Sequence, residues 1–243
     1  FESGCRSHFS PETQSLEGTM KTRIFSLIAI LALTATMGFA QRIRVVHASP
    51  DAPAIDVYVD SAKAIEALPF GEYTDYIPVP LSQIEYAVFV SGTDTKVTSG
   101  NLFVDTDLTI IASGFAGGGT PALGLTVLRD SNRIPAVGKA RVRVVHAAPS
   151  APAVDVYFTS PYAALSLPVL TGVPFGVGSG YLTVNAGMRE KQYQARVTVA
   201  GTKTVAINSG RLLVPSESVR TYVAIDPMEE GGAFQIIELL DAN

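Results

Sequence analysis

The chain has 243 residues, of which 47% are apolar, and its 18 lysines and arginines against 22 aspartates and glutamates give a net charge of −4. This length allows two ordinary domains or one large β domain, and the acidic balance argues against nucleic acid as a partner. The single cysteine, Cys5, leaves the rest of the chain without a disulfide, so hydrophobic cores alone must hold the fold.

Residues 20–40 have the pattern of a secretory signal peptide. A basic start is followed by an apolar run over residues 24–37 and by small residues before an expected cleavage after Ala40. The run is shorter than the ~18 to 20 residues that span a bilayer, which favours cleavage over the alternative of a retained membrane anchor. We therefore expect a secreted, extracellular or periplasmic protein that begins at Gln41, with no membrane span after cleavage and without the upstream segment 1–19.

A motif occurs twice in the remaining chain. The stretch "RVVHASPDAPAIDVYV" at residues 44–59 returns as "RVVHAAPSAPAVDVYF" at residues 143–158. Such a repeat predicts two homologous domains. We place them at residues 41–134 and 135–243, joined by the short linker "RDSNRIPAVGKA", and expect each half to fold on a core of its own.

Within each copy, apolar and polar residues alternate with a period of two, which is typical of half-buried strands. "RIRVVH" places Ile43, Val45 and His47 on one face. Further strands are predicted for "AIDVYVD", "EYAVFVSG", "TDLTIIASG" and "LGLTVLRD" in the first copy and "KQYQARVTVAG", "SVRTYVAID" and "AFQIIELLD" in the second. Gly and Pro separate the strands at intervals of about 8 to 12 residues, the spacing of an antiparallel β-sandwich.

Two stretches depart from this alternation. "SAKAIEALPF" and "SPYAALSLPVL" are compatible with short helices capped by Ser61 and Ser160.

The pattern R-x-x-H-A-x-P-x-A-P-x-x-D-V-Y, followed by a "PFG" turn and alternating strands, resembles the secreted bacterial family of domain of unknown function 4397, here in tandem. This resemblance implies an exported or envelope-associated protein with two tandem immunoglobulin-like β-sandwich domains. It implies no assigned activity and supplies no catalytic residues.

The repeated motif carries a set of residues that we interpret as a structural signature. After residue 40 the chain has only two histidines, one in each copy, and a buried imidazole must be hydrogen-bonded. We expect His47 to bond across the proline-rich turn to Asp56 or to a backbone carbonyl. The signature consists of His47, Pro50, Pro53, Asp56 and Tyr58 in the first copy and His146, Pro149, Pro152, Asp155 and Tyr157 in the second.

Catalytic and metal sites find little support in the sequence. A zinc site of His47 with Asp51 and Asp56 is the alternative in the first copy, but Ser150 replaces Asp51 in the second. Nucleophile-elbow, H-E-x-x-H, C-x-x-C and P-loop motifs are absent. "AGGGT" at residues 116–120 is interpreted as a hairpin loop, and the carboxylates Asp105 and Asp107 as a solvated turn or a weak calcium contact. We predict neither a cofactor nor an enzymatic activity.

The main functional hypothesis is a monomeric, non-enzymatic structural or interaction protein of the cell envelope or extracellular space. Its loops at residues 71–80 and 114–121 would recognise an envelope or extracellular protein or polymer. The alternative is a glycan or small-molecule binding module, although the chain offers nine tyrosines and no tryptophan for stacking on sugars. A hydrolase without a recognisable motif is the third hypothesis.

Overall fold

The structure is a computed structural model that describes residues 41–186 and 191–242. The predicted signal peptide at 20–40 and the segment 1–19 lie outside these residues. Strands, turns and loops account for the described residues, and no helix able to cross a membrane occurs among them. The all-β prediction is confirmed, and so are the tandem sandwiches.

The first repeat contains eight strands in two sheets. An inner sheet has the order β4-β1-β7-β8 and an outer sheet the order β3-β2-β5-β6. Their bounds are Gln41–Ala48 (β1), Ile55–Val59 (β2), Ala62–Leu68 (β3), Ile77–Val79 (β4), Ser82–Val90 (β5), Lys96–Val104 (β6), Leu108–Ser113 (β7) and Gly124–Arg129 (β8).

The second repeat forms the same two sheets from its own strands. Its inner sheet has β9 and β17 at the centre, flanked by β12, β13 and β18, and its outer sheet joins β11, β10, β14, β15 and β16. Their bounds are Lys139–His146 (β9), Val154–Thr159 (β10), Leu170–Val173 (β11), Val177–Gly178 (β12), Leu182–Asn185 (β13), Lys191–Val199 (β14), Val205–Asn208 (β15), Leu212–Val214 (β16), Val219–Ile225 (β17) and Gln235–Ala242 (β18).

One strand pair in each inner sheet is parallel rather than antiparallel. The first strand of each repeat runs parallel to the strand that begins the last hairpin, β1 to β7 and β9 to β17. Every other pairing in the four sheets is antiparallel. A period of two shows that a segment is a strand but not the direction of its neighbour, so the parallel pair is a feature that the sequence pattern does not reveal.

Neither of the two short helices considered from the sequence is present. Residues 62–68 form the edge strand β3, and residues 160–169 form turns and irregular structure that lead into β11. The alanine, lysine and glutamate of "SAKAIEAL" favour a helix locally. Pairing with β2 overrides this preference because the backbone of β3 completes the outer sheet.

The two repeats pack against each other through their inner sheets. Strands β1 and β7 are buried on both faces, with Val45 turned to the first sandwich core and Val46 to the second repeat. One hydrophobic cluster therefore draws on both repeats: Val46, Ala48, Ile111, Val145, Ala147, Val223, Ile225, Ile237 and Leu239. Each repeat also has a sandwich core of its own, so the shared cluster is an additional hydrophobic contact between the repeats.

Candidate functional site

The repeated histidine of the first copy is a buried structural residue. The Nε2–H of His47 donates to the carbonyl of Pro53 over 3.0 Å, and Nδ1 accepts the N–H of Ser49 over 3.3 Å. These two bonds fix the neutral tautomer with its proton on Nε2. Burial lowers the pKa of His47. The ring thus bonds the backbone carbonyl and makes no hydrogen bond to Asp56.

The second copy repeats this arrangement. The Nε2–H of His146 donates to the carbonyl of Pro152 over 3.0 Å, and Nδ1 accepts the N–H of Ala148 over 3.4 Å. Burial lowers the pKa of this ring as well. The equivalent geometry in both copies shows that the motif builds a local turn.

The "PFG" turns complete this unit. Phe70 and Phe175 pack edge-on against the two imidazoles, with ring centroids 6.1 and 6.2 Å apart. Gly71 donates its N–H to the carbonyl of His47 over 2.8 Å. Its φ of 83° is a backbone conformation that residues with a side chain rarely adopt. Pro50 and Pro149 lie in the turns that follow the histidine strands.

The repeated aspartate stabilises an irregular edge strand. Asp56 accepts the ammonium of Lys63 and the N–H of Ala67, both over 2.8 Å, and these bonds lower its pKa to about 2. Asp155 accepts the N–H groups of Gly172 and Gly201 over 2.7 and 2.8 Å, which lowers its pKa. The pairing register shifts beside each aspartate, so these carboxylates bridge a β-bulge.

The acidic residues considered for a metal have other partners. Asp51 accepts the N–H groups of Ala116 and Gly117 over 2.7 and 2.8 Å and so fixes the "AGGGT" hairpin loop between β7 and β8. Asp105 and Asp107 pair with Arg129 and Arg42. No group of three metal-ligating side chains occurs within residues 41–186 and 191–242.

Part of the predicted binding loops serves contacts inside the molecule. In the segment 71–80, the Tyr76 hydroxyl donates to Asp130 over 2.7 Å, and Gly71 lies against Met228 of the second repeat. In the segment 114–121, Asp51 holds the loop backbone. These loop residues therefore have partners within the molecule.

An open groove lies instead on the outer sheet of the first repeat. It has a volume of about 350 Å³, within the usual range of ligand sites. Its lining combines aromatic, charged and hydroxyl-bearing side chains: Tyr58, Ser61, Glu85, Tyr86, Ala87, Phe89, Thr93, Asp94 and Lys96. Tyr58 and Phe89 pack edge to face with centroids 5.3 Å apart, and both are half-buried.

Two lysines flank this aromatic pair. The ammonium of Lys63 lies 5.7 Å from the Tyr58 ring, and that of Lys96 lies 5.8 Å from the Phe89 ring. Glu85 and Asp94, which also line the groove, are exposed to solvent. The groove therefore presents hydrogen-bond donors and acceptors around a small aromatic platform.

The same face of the second repeat is covered by the chain itself. Between β10 and β11, residues 160–169 replace the short turn that joins β2 to β3. The carbonyls of Ala163 and Ser166 accept hydrogen bonds from Arg196 and Lys203 over 2.6 and 2.9 Å. Tyr157, the counterpart of Tyr58, is consequently only 2% exposed.

Strand register shows that the filled and open grooves are equivalent. Tyr157 pairs with Arg196, as Tyr58 pairs with Ala87. The turns "VSGTDTK" and "VAGTKTV" that follow β5 and β14 then align Asp94 with Lys203. The donors that hold residues 160–169 in the second repeat are thus replaced by a small residue and a carboxylate in the first.

Sequence reasoning missed a charged network between the repeats. Arg44 is paired with Asp241, and Arg143 with Asp130 over 2.6 Å, and all four side chains are at most 3% exposed. Thr109 donates to Asp130 over 2.7 Å. The sequence contained one signal of this network, the repeated R-x-R of "RIRV" and "RVRV". Charged residues are usually exposed, so this pattern did not predict buried ion pairs.

Each arginine pair of this motif also encloses a tyrosine. Arg42 and Arg44 lie 4.6 and 4.8 Å from the centroid of Tyr76. Tyr181 has the same position between two arginines of the second repeat, and burial raises the pKa of both tyrosines. The network is structural because its two ion pairs join the repeats and are buried.

Comparisons with known proteins give weak structural and clear family matches. No curated protein matches the chain. One similar structure, described as alpha-glucan binding by a streptococcal virulence factor, is 11% identical, covers 78% of this chain and 95% of its own, and has a TM-score of 0.26. Another, the family CBM26 module CBMbc from Eubacterium rectale Amy13K in complex with maltoheptaose, is 8% identical, covers 82% and 97%, and has a TM-score of 0.27.

A family model described as a domain of unknown function matches residues 41–157, which span the first repeat and the opening motif of the second. The repeated motif predicts this match. The resemblance to the family of domain of unknown function 4397 is therefore confirmed over residues 41–157.

Proposed function

We propose that this chain is an exported, non-enzymatic binding protein whose first repeat holds a neutral, hydroxyl-rich glycan in the groove on its outer sheet. The observation that carries the proposal is the contrast between the two repeats. The same groove is closed by residues 160–169 in the second repeat and open in the first, where Tyr58 and Phe89 remain accessible.

The side chains of the groove favour a ligand that donates hydrogen bonds. Glu85 and Asp94 are acceptors, whereas the equivalent groove of the second repeat uses Arg196 and Lys203 as donors to carbonyls. A backbone segment like 160–169 would bring its carbonyls against Ala87, which has no donor, and against the carboxylate of Asp94 in the first repeat. Hydroxyl groups can donate to these carboxylates instead.

The charges of the groove also favour a neutral ligand. Lys63 and Lys96 already lie near the two aromatic rings, so a cationic ligand would meet like charges there. An anionic ligand would meet Glu85 and Asp94. A sugar ring offers apolar C–H faces to Tyr58 and Phe89 and hydroxyls to the charged rim, a combination of apolar body and polar edge that suits such sites.

The proposal is tested by screening the purified chain on a glycan array and measuring the best neutral oligosaccharide by isothermal titration calorimetry. Phe89→Ala removes half of the aromatic pair and should weaken binding about tenfold, equivalent to about 1.4 kcal/mol. Phe103→Ala is the matched control, because Phe103 is an aromatic residue of the same outer sheet that is 60% exposed and outside the groove. Equal losses in the two variants, or no binding to any glycan, would contradict the proposal.

A further inference from the structure

We propose that a second cleft, formed by the linker between the repeats and strand β9, binds a tetrahedral oxyanion, a phosphate or sulfate group carried by a ligand. The cleft has a volume of about 440 Å³. Its lining includes Arg133, Lys139 and Arg141 and contains no acidic residue. It thus concentrates positive charge in a protein whose net charge is −4.

Arg141 is held in place before any ligand arrives. Its Nη1 donates to the carbonyls of Ser131 and Arg133 over 3.0 and 3.2 Å and lies 3.1 Å from the Ser131 hydroxyl. The guanidinium also stacks on Tyr181, 4.5 Å from the ring centroid. Its Nε and Nη2 have no hydrogen-bond partner among the described residues, so these two donors are left for a ligand.

The first repeat shows what normally neutralises this position. Arg42, the counterpart of Arg141, also stacks on a tyrosine, but its Nε and Nη2 both bond the carboxylate of Asp107, over 3.1 and 2.5 Å. In the second repeat the residue opposite Arg141 on the parallel strand is Val219. The Nε and Nη2 donors of Arg42 therefore bind a carboxylate, whereas the same two donors of Arg141 have no anion beside them.

Two further cations face the same cleft. Arg133 is exposed, and its side chain has no hydrogen-bond or ion-pair partner in the described part of the chain. Lys139 uses one ammonium hydrogen on Asn185, over 2.6 Å, and keeps the others. The hydroxyl of Thr183, which pairs with Arg141 across the strands, adds a donor. A planar arginine fork with neighbouring cations is the arrangement that recognises phosphate and sulfate oxygens.

The test is a titration of the full chain with inorganic phosphate and with inorganic sulfate, each against sodium chloride of equal ionic strength. Binding is followed through the arginine Nε–Hε signals in 1H–15N spectra. We expect saturable shifts with at least one oxyanion and none with chloride. The anion that binds with the higher affinity indicates whether the natural ligand carries a phosphate or a sulfate group.

Arg133→Gln should weaken this binding about fivefold or more, because one charged donor is lost. Arg211→Gln is the control, since Arg211 is an exposed cation of the second repeat outside the cleft. Both variants change the net charge equally and leave the Arg141 contacts intact. Shifts that rise linearly without saturation, or equal weakening in both variants, would refute the oxyanion site.

Discussion

His47 and His146 each have a neutral imidazole whose two nitrogens are already bonded to the backbone. Protonation of Nδ1 would place a donor against the N–H of Ser49 or Ala148. The rings are also buried, which lowers both pKa values. These residues therefore link the stability of the fold to pH, and neither has a nitrogen free to bind a metal.

The melting temperature should fall as the pH decreases below about 6.5, the ordinary pKa of histidine. In this range the unfolded chain takes up protons that the folded chain still rejects, so acidification favours unfolding until the lowered folded pKa is reached. His47→Ala should lower the free energy of unfolding by about 1 to 3 kcal/mol at neutral pH, because the carbonyl of Pro53 loses its donor. The same substitution should also reduce the decrease in melting temperature between pH 7 and pH 5, measured by thermal denaturation. A variant with the same pH slope as the parent chain would disprove this linkage.

Edge strands β3 and β11 show how the two copies solve one backbone problem with different residues. The N–H that bonds the repeated aspartate belongs to Ala67 in β3 and to Gly172 in β11. Their φ angles are 50° and 58°, in the left-handed region that favours glycine. The first copy therefore carries backbone strain that the second avoids.

Exchanging these residues should change stability in opposite directions. Gly172→Ala should lower the free energy of unfolding by about 1 to 2 kcal/mol, and Ala67→Gly should raise it by up to about 1 kcal/mol, because an L-residue is disfavoured at positive φ. Urea denaturation of each variant measures both effects. Gly180→Ala is a control, since Gly180 has no positive φ and no atom near its added methyl group. If both Ala67→Gly and Gly172→Ala lowered the free energy of unfolding, backbone strain at these positions would not explain the effect.

The elements that the sequence predicts correctly are those in which apolar and polar residues alternate along the sequence. Strands β2, β5 and β14 follow their period of two, and the "AGGGT" segment is the predicted hairpin loop. β3 was not predicted, because local helix preference and tertiary pairing disagree there. The candidate groove was not predicted either, since its residues come from three strands and two turns, and the groove stays open only because the connection after β2 is short.

At the scale of the whole molecule, two buried ion pairs and a shared apolar cluster join the repeats. Arg44 and Arg143 each reach a carboxylate of the other repeat, Asp241 and Asp130. Both arginines belong to the repeated motif, but no alternation pattern shows which face of a sheet meets a second domain, so the sequence does not predict this interface. Only the tertiary arrangement shows that both faces of β1 and β9 are covered.

Breaking one of these pairs should be far more costly than breaking an exposed pair. Asp130→Ala leaves the guanidinium of Arg143, which is 3% exposed, without its principal anion, and should lower the free energy of unfolding by about 3 to 5 kcal/mol. Asp105→Ala is the matched control, because it removes the exposed partner of Arg129 and should change stability little. Chemical denaturation compares the two, and similar losses would mean that the interface pair contributes no more than a surface contact.

Separate expression of residues 41–134 and 135–243 tests the joint between the repeats. Each half keeps its own sandwich core, so both should form β structure. Each half would also expose its apolar side chains of the shared cluster, such as Val46 and Ile111 in the first half and Val223 and Leu239 in the second. Exposed patches of this kind lower stability and promote association. We expect each half to melt below the full chain and an equimolar mixture to form a one-to-one complex, measured by thermal denaturation and size-exclusion chromatography with light scattering. Halves that stay monomeric when mixed and melt at the temperature of the full chain would show that the shared cluster contributes nothing to stability, leaving the repeats as independent domains.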